Sequence, residues 1–466
     1  MRVIIWGTGK AAREFVLCLS GSKVDIVAVT DNDSGKWGRS WKSYSVISPQ
    51  EIMDYSFDCI VIASSSYESI REQIRSIFSK PVELLCYSEN AAHCFEYLNV
   101  PVPVLIETHH LENDVLKTDI RRYRIHRKVT EDISAPFSAE EQRPLIKQLH
   151  RAYRDALEGY AEASEPYQPG KNWKGVFRNS RKEFYSMIES DNIAGLTEQL
   201  NHFCRNSLST YIMGGKERYE RFKKSGVPEW LEHNFKVWAY SVGEKTMLEE
   251  AEMPPIGNPY GFDIEGILIN SNCFPNHYRA HFIAQLVRES RNPVIAEIGG
   301  GFGGFAYYLI NRGENLTYIN FDLPENLIVS SYYLSMAFPD FNILYYQSPD
   351  QILDEQLLNE YDILLMPNYM LPKLDDHSVD CFINTISFSE MEIGTVREYF
   401  RQMERIGKKY VYHENLACRP GYRGYPVSVF PRINGFSEQF KAISRWKGFD
   451  AYSGNHVYHE QLFVRQ

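Results

Sequence analysis

Near residue 300 the chain reads Val294-Ile295-Ala296-Glu297-Ile298-Gly299-Gly300-Gly301-Phe302-Gly303-Gly304, and Phe321-Asp322-Leu323-Pro324 follows the next apolar run. A short apolar strand, glycines that let backbone N–H groups come close to a ligand, and helical spacing from Phe305 to Arg312 make a nucleoside-binding βαβ unit. Asp322 closes the apolar run from Leu316 to Phe321, where a carboxylate can accept both hydroxyls of a ribose.

Two cofactor classes use such a turn. Gly299, Gly301 and Gly304 satisfy the G-x-G-x-x-G of dinucleotide binders, while Glu297, Gly299, Gly301 and Gly303 satisfy the acidic-x-G-x-G-x-G of S-adenosylmethionine-dependent methyltransferases. The glycines alone do not choose. Glu297 favours the second, because methyltransferases use an acidic strand-end residue to hold the methionine end of the cofactor, whereas dinucleotide enzymes need N–H groups facing a pyrophosphate. The expected cofactor residues are Glu297, Gly299, Gly300, Gly301, Gly303, Asp322 and Leu323.

Methyl transfer to a hydroxyl needs an oxygen held in line with the departing sulfur and a base for its proton. Bases are sought beyond the carboxyl ends of the strands, where open α/β sheets bind ligands. Glu390 lies in Ser387-Phe388-Ser389-Glu390-Met391 after the run Asp380 to Thr385, and His413 and Glu414 close the run Lys409 to Tyr412. Histidine's ordinary pKa near 6.5 favours His413 on general grounds. His277 and His281 stand at i, i+4 just upstream of the glycine turn, so His281 is a further candidate, aimed at the acceptor. No H-E-x-x-H accompanies that pair, nothing selects Asp376, Asp380 or Glu390 as further oxygen donors, and no metal ligand is assigned. Arg419, Tyr422 and Arg423 follow a late strand and suit an anionic sugar or a phosphate.

The elements that position these residues belong to a chain of 466 residues, long enough for two to four domains. Its net charge is −10, which gives no field that draws it to phosphates and disfavours nucleic acid as a partner. The basic cluster Arg121, Arg122, Arg124, Arg127 and Lys128 reads as a solvated helix face. Eight dispersed cysteines without C-x-x-C spacing read as reduced thiols of a cytoplasmic protein. The sequence starts directly with a strand, without a charged leader, and no run reaches transmembrane length. The 31 tyrosines, dense across Tyr307 to Tyr346 and Tyr399 to Tyr425, suit carbohydrate as well as ordinary packing.

Three regions are expected. Residues 1–90 alternate strands and helices: Val3 to Trp6, the turn Gly7-Thr8-Gly9, a helix Ala12 to Leu19, a strand Ile26 to Thr30 ending at Asp31, then Cys59 to Ala63, Tyr67 to Phe78 and Val82 to Cys86. This is a small Rossmann-like unit for a nucleotide or nucleotide-sugar, or a unit kept for packing. Residues 91–250 read as mostly helical, with a loop from Ser164 to Gly175. Residues 251–466 form an α/β sheet in which Asn342 to Tyr346 and Ile363 to Met366 compete for the third-strand position.

Residues 255 to 466 resemble the bacterial sugar O-methyltransferase family within the class I S-adenosylmethionine-dependent methyltransferases. The likeness is carried by Ile256-Gly257-Asn258-Pro259, Glu297 to Gly304, Asp322-Leu323-Pro324, Pro367-Asn368-Tyr369 and Asn384-Thr385-Ile386-Ser387-Phe388-Ser389-Glu390-Met391. It implies a class I methyltransferase fold, S-adenosylmethionine as cofactor at Glu297, Gly299, Gly301, Gly303 and Asp322, and a sugar hydroxyl as acceptor in the making of surface or secreted glycans. Residues 1–90 resemble small Rossmann-like modules of bacterial surface-sugar biosynthesis proteins in Gly7-x-Gly9, Asp31-Asn32-Asp33 and Ser48-Pro49. Two other readings stand beside this one: a nicotinamide-dependent nucleotide-sugar oxidoreductase or epimerase, for which Tyr219 and Lys223 have the right spacing in the wrong setting, and a non-catalytic glycan-pathway protein. A homo-oligomer is compatible with either.

Overall fold

Strands that are apolar at every position need cover on both faces, and the computed structural model of this protein provides it at both ends of the chain. It describes the chain apart from residues 10, 13–14, 17–18, 20–23, 42–43, 65, 88, 90–92, 95–96, 99–118, 122, 134–137, 211–219, 222–223, 225–228, 243–247, 314, 419–438 and 448–456.

The N-terminal sheet contains β1 (Arg2–Trp6), β2 (Asp25–Thr30), β3 (Ser40–Trp41), β4 (Tyr44–Ile47), β5 (Cys59–Ile62) and β6 (Leu84–Cys86), in the order β3-β4-β2-β1-β5-β6. β1 runs parallel to β2 and β5, with Trp6 beside Thr30 and Ile62. Alternate residues of β1 enter two cores, Val3 and Ile5 on one face, Ile4 and Trp6 on the other. Helix α1 (Tyr67–Ile77) covers the second face through Ile70 and Ile74. The short strands β3 and β4 are additions to the expected set. Much of the expected helix Ala12 to Leu19 lies outside the described residues.

The middle region is largely helical, as its composition suggests: α2 (Ala139–Glu162), α3 (Lys171–Asn179), α4 (Lys182–Glu189), α5 (Ile193–Asn201) and α6 (Glu229–Val242). Ser138 and Glu141 cap α2 reciprocally. Two expectations are corrected. Residues Ile125–Val129 form a strand, β7, rather than a helix face, and Arg121 pairs at the exposed surface with Asp119 at 2.9 Å. The stretch expected to be a loop, Ser164 to Gly175, instead holds a 3-10 turn, Glu165–Tyr167, and the start of α3. Proline and glycine there mark the junction between two helical elements.

β7 pairs antiparallel with β8 (Phe262–Ile264), which pairs with β9 (Ile267–Ile269). The next helix, α7 (Cys273–Val287), leads to the main sheet, formed by β10 (Val294–Ile298), β11 (Thr317–Asp322), β12 (Ile343–Tyr345), β13 (Ile363–Pro367), β14 (Val379–Thr385), β15 (Gly407–Cys418), β16 (Phe440–Lys447) and β17 (Val457–Arg465). The order is β12-β13-β11-β10-β14-β15-β17-β16. β13, and not β12, is β11's neighbour, with Asp322 beside Pro367, which resolves the third-strand question. β17 lies antiparallel between β15 and β16. After β10 the chain builds outward first on the β11 side and then on the β14 side, so the carboxyl ends of β10 and β14 flank a topological switch point.

Helices α8 (Gly304–Ile310), α9 (Pro324–Ala337), α10 (Glu355–Glu360) and α11 (Ile393–Ile406) complete the layers. Ile295, Ile383 and Tyr412 point into a core shared with α7, α8 and the middle helices, while Ala296, Phe382 and Val411 face α11. Tyr307, Tyr308, Tyr318, Tyr332 and Tyr333 pack into the first of these cores, so these members of the tyrosine-rich stretch serve packing. Cys59, Cys86, Cys94, Cys204, Cys273 and Cys381 are buried free thiols. Among the described residues no helix is long and apolar enough to cross a membrane.

Candidate active site

The switch point opens into a cleft lined by the glycine turn, the carboxyl ends of β10, β11 and β14, part of α7, and residues before and in α3. The turn is forced by its conformation: Gly299, Gly301 and Gly303 have φ of 76°, 62° and 89°. A Cβ on Gly299 would run into the Ser387 side chain, and one on Gly300 would come within 2.7 Å of Asn320 Oδ1. Four of the turn's amides are spent inside the protein. Gly299 N–H donates to Phe321 O at 2.8 Å, Gly300 N–H to Asn320 Oδ1 at 3.2 Å, Gly301 N–H to Asp322 Oδ2 at 2.8 Å and Gly303 N–H to Gly300 O at 3.0 Å.

Glu297, Gly299, Gly300, Gly301, Asp322 and Leu323 all line the cleft. Gly303 does not. It is the N-cap of α8, with its Cα facing Leu334, so it shapes the turn from behind, and Gly304 takes its place at the wall. Asp322 is buried; its Oδ1 accepts from Leu323 N–H at 2.7 Å and from Asn326 Nδ2 at 3.0 Å, so with Gly301 three donors fasten it to the turn. Glu297 is buried and accepts from the Tyr318 hydroxyl. Burial pushes the Glu297 carboxyl up to about 7, with Tyr318 opposing and the Asp322 charge adding, and pushes Asp322 up to about 6 against the pull of its hydrogen bonds.

Glu390 also lines the cleft, on a 3-10 turn, Ser387–Glu390, and Trp173 of α3 donates Nε1–H to its Oε2 at 3.1 Å. Burial pushes its carboxyl up to about 7 despite that bond. Ile386, immediately before the turn, is a β-branched residue at φ 69°, held by its N–H to Glu414 O at 2.6 Å and by Ser389 N–H to its own carbonyl at 2.9 Å. Such a residue at positive φ is strained and is found where surrounding structure over-determines it.

The other candidate bases are not at the cleft. Side chains alternate along β15, so His413 faces α11 and sits among Phe388, Phe400 and Phe463, stacked on Phe463 with ring centroids 5.8 Å apart. Glu414 faces the other way and is ion-paired with Arg279 of α7 at 2.6 Å, both fully buried. Arg279 itself lines the cleft and was missed as a site residue, although Asn276 and Arg279 at i, i+3 are polar positions that are both buried. His281 is turned away, its ring bonded to Gln285 at 2.8 Å and within 3.5 Å of Arg312, while His277 Nδ1 accepts from Trp238 Nε1 at 3.0 Å. These two histidines do not converge, and no group of three or more histidine, cysteine or acidic side chains among the described residues is arranged to hold a metal. Arg419, Tyr422 and Arg423 lie outside the described residues. Trp173 had no signal beyond its type, since nothing in sequence ties residue 173 to residue 390.

The cleft therefore carries four carboxylates, Glu297, Asp322, Glu390 and, at its rim, the exposed Glu392, and one arginine already neutralised by Glu414. It favours a cationic ligand over an anionic one.

The family model C2185-like, N-terminal, matches residues 1–81. No curated protein matches the chain. Among solved structures the chain is similar to the magnesium protoporphyrin IX methyltransferase of Synechocystis PCC 6803 with bound SAM, at 11% identity over 42% of this chain and 85% of that one, with a TM-score of 0.29. It is similar also to the N-methyltransferase NodS of Bradyrhizobium japonicum WM9 in complex with S-adenosyl-L-homocysteine, at 11% identity over 42% and 88%, with a TM-score of 0.28. At such TM-scores these likenesses carry no weight for the chemistry, which rests on the geometry above.

Proposed function

We propose that this protein transfers the methyl group of S-adenosylmethionine to a hydroxyl of a sugar. One observation carries the reading: the amides of Gly299, Gly300, Gly301 and Gly303 are consumed internally while four carboxylates line the cleft, which disfavours a pyrophosphate and suits a nucleoside that bears positive charge. S-adenosylmethionine supplies a methyl on a positively charged sulfur that is already a good leaving group.

The residues present fit that cofactor. Phe302, Leu323 and Ile386 offer apolar surface for an adenine, the remaining acceptor capacity of Asp322 suits a ribose hydroxyl, and Glu297 suits an ammonium group. Glu390 is the base, its Oε2 fixed by Trp173 and its other oxygen available to take the hydroxyl proton. A carboxyl with a pKa of about 7 is both present as carboxylate at neutral pH and basic enough to help. Arg279 and Glu414 act through position, bracing the wall that holds Ile386. The resemblance of residues 255 to 466 supports a sugar acceptor, free, nucleotide-linked or in a glycan, and the dispersed cysteines support a reaction in the cytoplasm. For residues 1–90 a docking or packing role is favoured over nucleotide binding, because Asp31 is already occupied by Thr8 and Lys36.

Calorimetric titration with S-adenosylhomocysteine, NAD and a UDP-sugar tests this. S-adenosylhomocysteine is expected to bind, with affinity lost in Asp322→Ala. Binding of NAD with no effect of S-adenosylhomocysteine would replace the reading with the oxidoreductase one.

A further inference from the structure

From Gln168 to Lys182 the chain contains Lys171, Lys174, Arg178, Arg181 and Lys182 and no aspartate or glutamate, in a protein of net charge −10. Arg181 turns inward, its guanidinium bonded to Glu325 O at 2.9 Å and Asn326 Oδ1 at 3.0 Å. Lys171, Lys174 and Arg178 stay exposed on α3 at i, i+3 and i+7, one face of the helix, and among the described residues none of them forms an ion pair. Like charges at that spacing oppose helix formation, and α3 carries no acidic residue to offset them.

These three side chains line a second groove, whose acidic lining residues, among the described ones, are Glu165 and Glu392. That groove shares Gln168, Gly170, Glu392 and Thr395 with the cleft. A ligand with one hydroxyl at Glu390 can therefore continue along α3 without leaving the protein surface.

We propose that the acceptor carries an anionic group, a phosphate or a carboxylate, which seats against Lys171, Lys174 and Arg178 while its hydroxyl meets Glu390; this rests on the methyl-transfer reading. Arg178 can take such a group through two parallel N–H bonds and the lysines add point charges, whereas a neutral sugar gains only ordinary hydrogen bonds from this face. The anion site and the carboxylate-lined cofactor site then differ in sign, which keeps the two ligands from exchanging places.

The test is calorimetry on the full chain with UDP, glucuronate and glucose, in the wild type and in the triple variant Lys171→Gln, Lys174→Gln, Arg178→Gln, with S-adenosylhomocysteine titrated into both. UDP or glucuronate is expected to bind more tightly than glucose, more weakly as salt rises, and at least about tenfold more weakly in the triple variant, while S-adenosylhomocysteine affinity stays within about twofold. UDP binding alone assigns a phosphate-bearing acceptor, and glucuronate alone a uronic-type one. Absence of binding by either anion, or equal binding to wild type and variant, overturns the proposal. Failure of S-adenosylhomocysteine to bind the wild type overturns the methyltransferase reading instead, and the response of the anions to the variant still decides whether the groove is an anion site.

Discussion

Two glycine turns in this chain follow the same plan, a buried strand, a turn with positive φ and an acid at the end of the neighbouring strand, yet they are finished differently. At the N-terminal one, Asp31 Oδ2 accepts from Thr8 N–H at 3.0 Å, from the Thr8 hydroxyl and from Lys36 Nζ at 3.1 Å, and Trp41 Nε1 donates to Thr8 O at 3.0 Å. Burial would raise the Asp31 carboxyl, but Thr8, the Asp33 amide and Lys36 outweigh it and hold it below the usual range. At the C-terminal one, Asp322 is held only by neutral donors, it faces a cleft with three further carboxylates, and its carboxyl is pushed up. A motif of this kind shows where a ligand can sit, and the partners of its acid decide whether the place is already taken.

The sharpest way to break this comparison is to disable each base candidate in turn. Glu390→Gln is expected to lower methyl transfer by roughly 10²- to 10⁴-fold with S-adenosylhomocysteine affinity little changed. His413→Phe, which preserves the aromatic packing, is expected to leave the rate within a few-fold. A rate loss in His413→Phe as deep as in Glu390→Gln would move the base out of the cleft.

Next in size are the two acids. Asp322→Ala frees three buried donors and is expected to weaken S-adenosylhomocysteine binding by about 2–3 kcal/mol, roughly 30- to 150-fold. Asp31→Ala is expected to lower the stability of the N-terminal sheet and to leave that affinity unchanged. Equal losses in the two variants would mean that both turns serve one cofactor.

The two regions should also respond to pH in opposite directions. Glu297, Glu325 and Glu390 at about 7 and Asp322 at about 6 lie above their unfolded values, so the stability they lend is complete below about pH 4 and is lost as pH rises through 6 to 7. Asp31, held low, lends stability above its unfolded value that is lost as pH falls through its folded one. Thermal unfolding of the ligand-free protein is expected to show the main sheet melting several degrees lower at pH 8 than at pH 5.5. A cationic ligand should oppose that loss and release protons on binding near neutral pH, read as a buffer-dependent calorimetric enthalpy.

The smallest effect expected is that of Trp173→Phe. It removes one hydrogen bond to Glu390, worth about 1 kcal/mol, and since that bond lowers the carboxyl pKa its loss should move the rising limb of the pH–rate profile to higher pH. A profile unchanged in position would separate Trp173 from the base.

Sequence alone was sufficient for most strands of both sheets, because runs such as β10, β11 and β13 are mainly apolar, of strand length and bounded by glycine, proline or acid, but it did not reveal the short strands β3 and β4 or the strand β16. It was sufficient too for the glycine turn and for Asp322, since positive φ and a strand-end acid are local requirements. It could not choose among Glu390, His413, Glu414 and His281. All four follow or border apolar elements, and which of them meets the cleft depends on the faces of β15 that His413 and Glu414 occupy, on the face of α7 that carries His281 and on α3 packing against the turn that holds Glu390. Trp173 meets Glu390 across 217 residues of chain, and Arg279 is paired with Glu414 across 135. Local propensity fixes the elements, but only the packing of distant elements brings side chains within hydrogen-bond reach, and that packing decided the site.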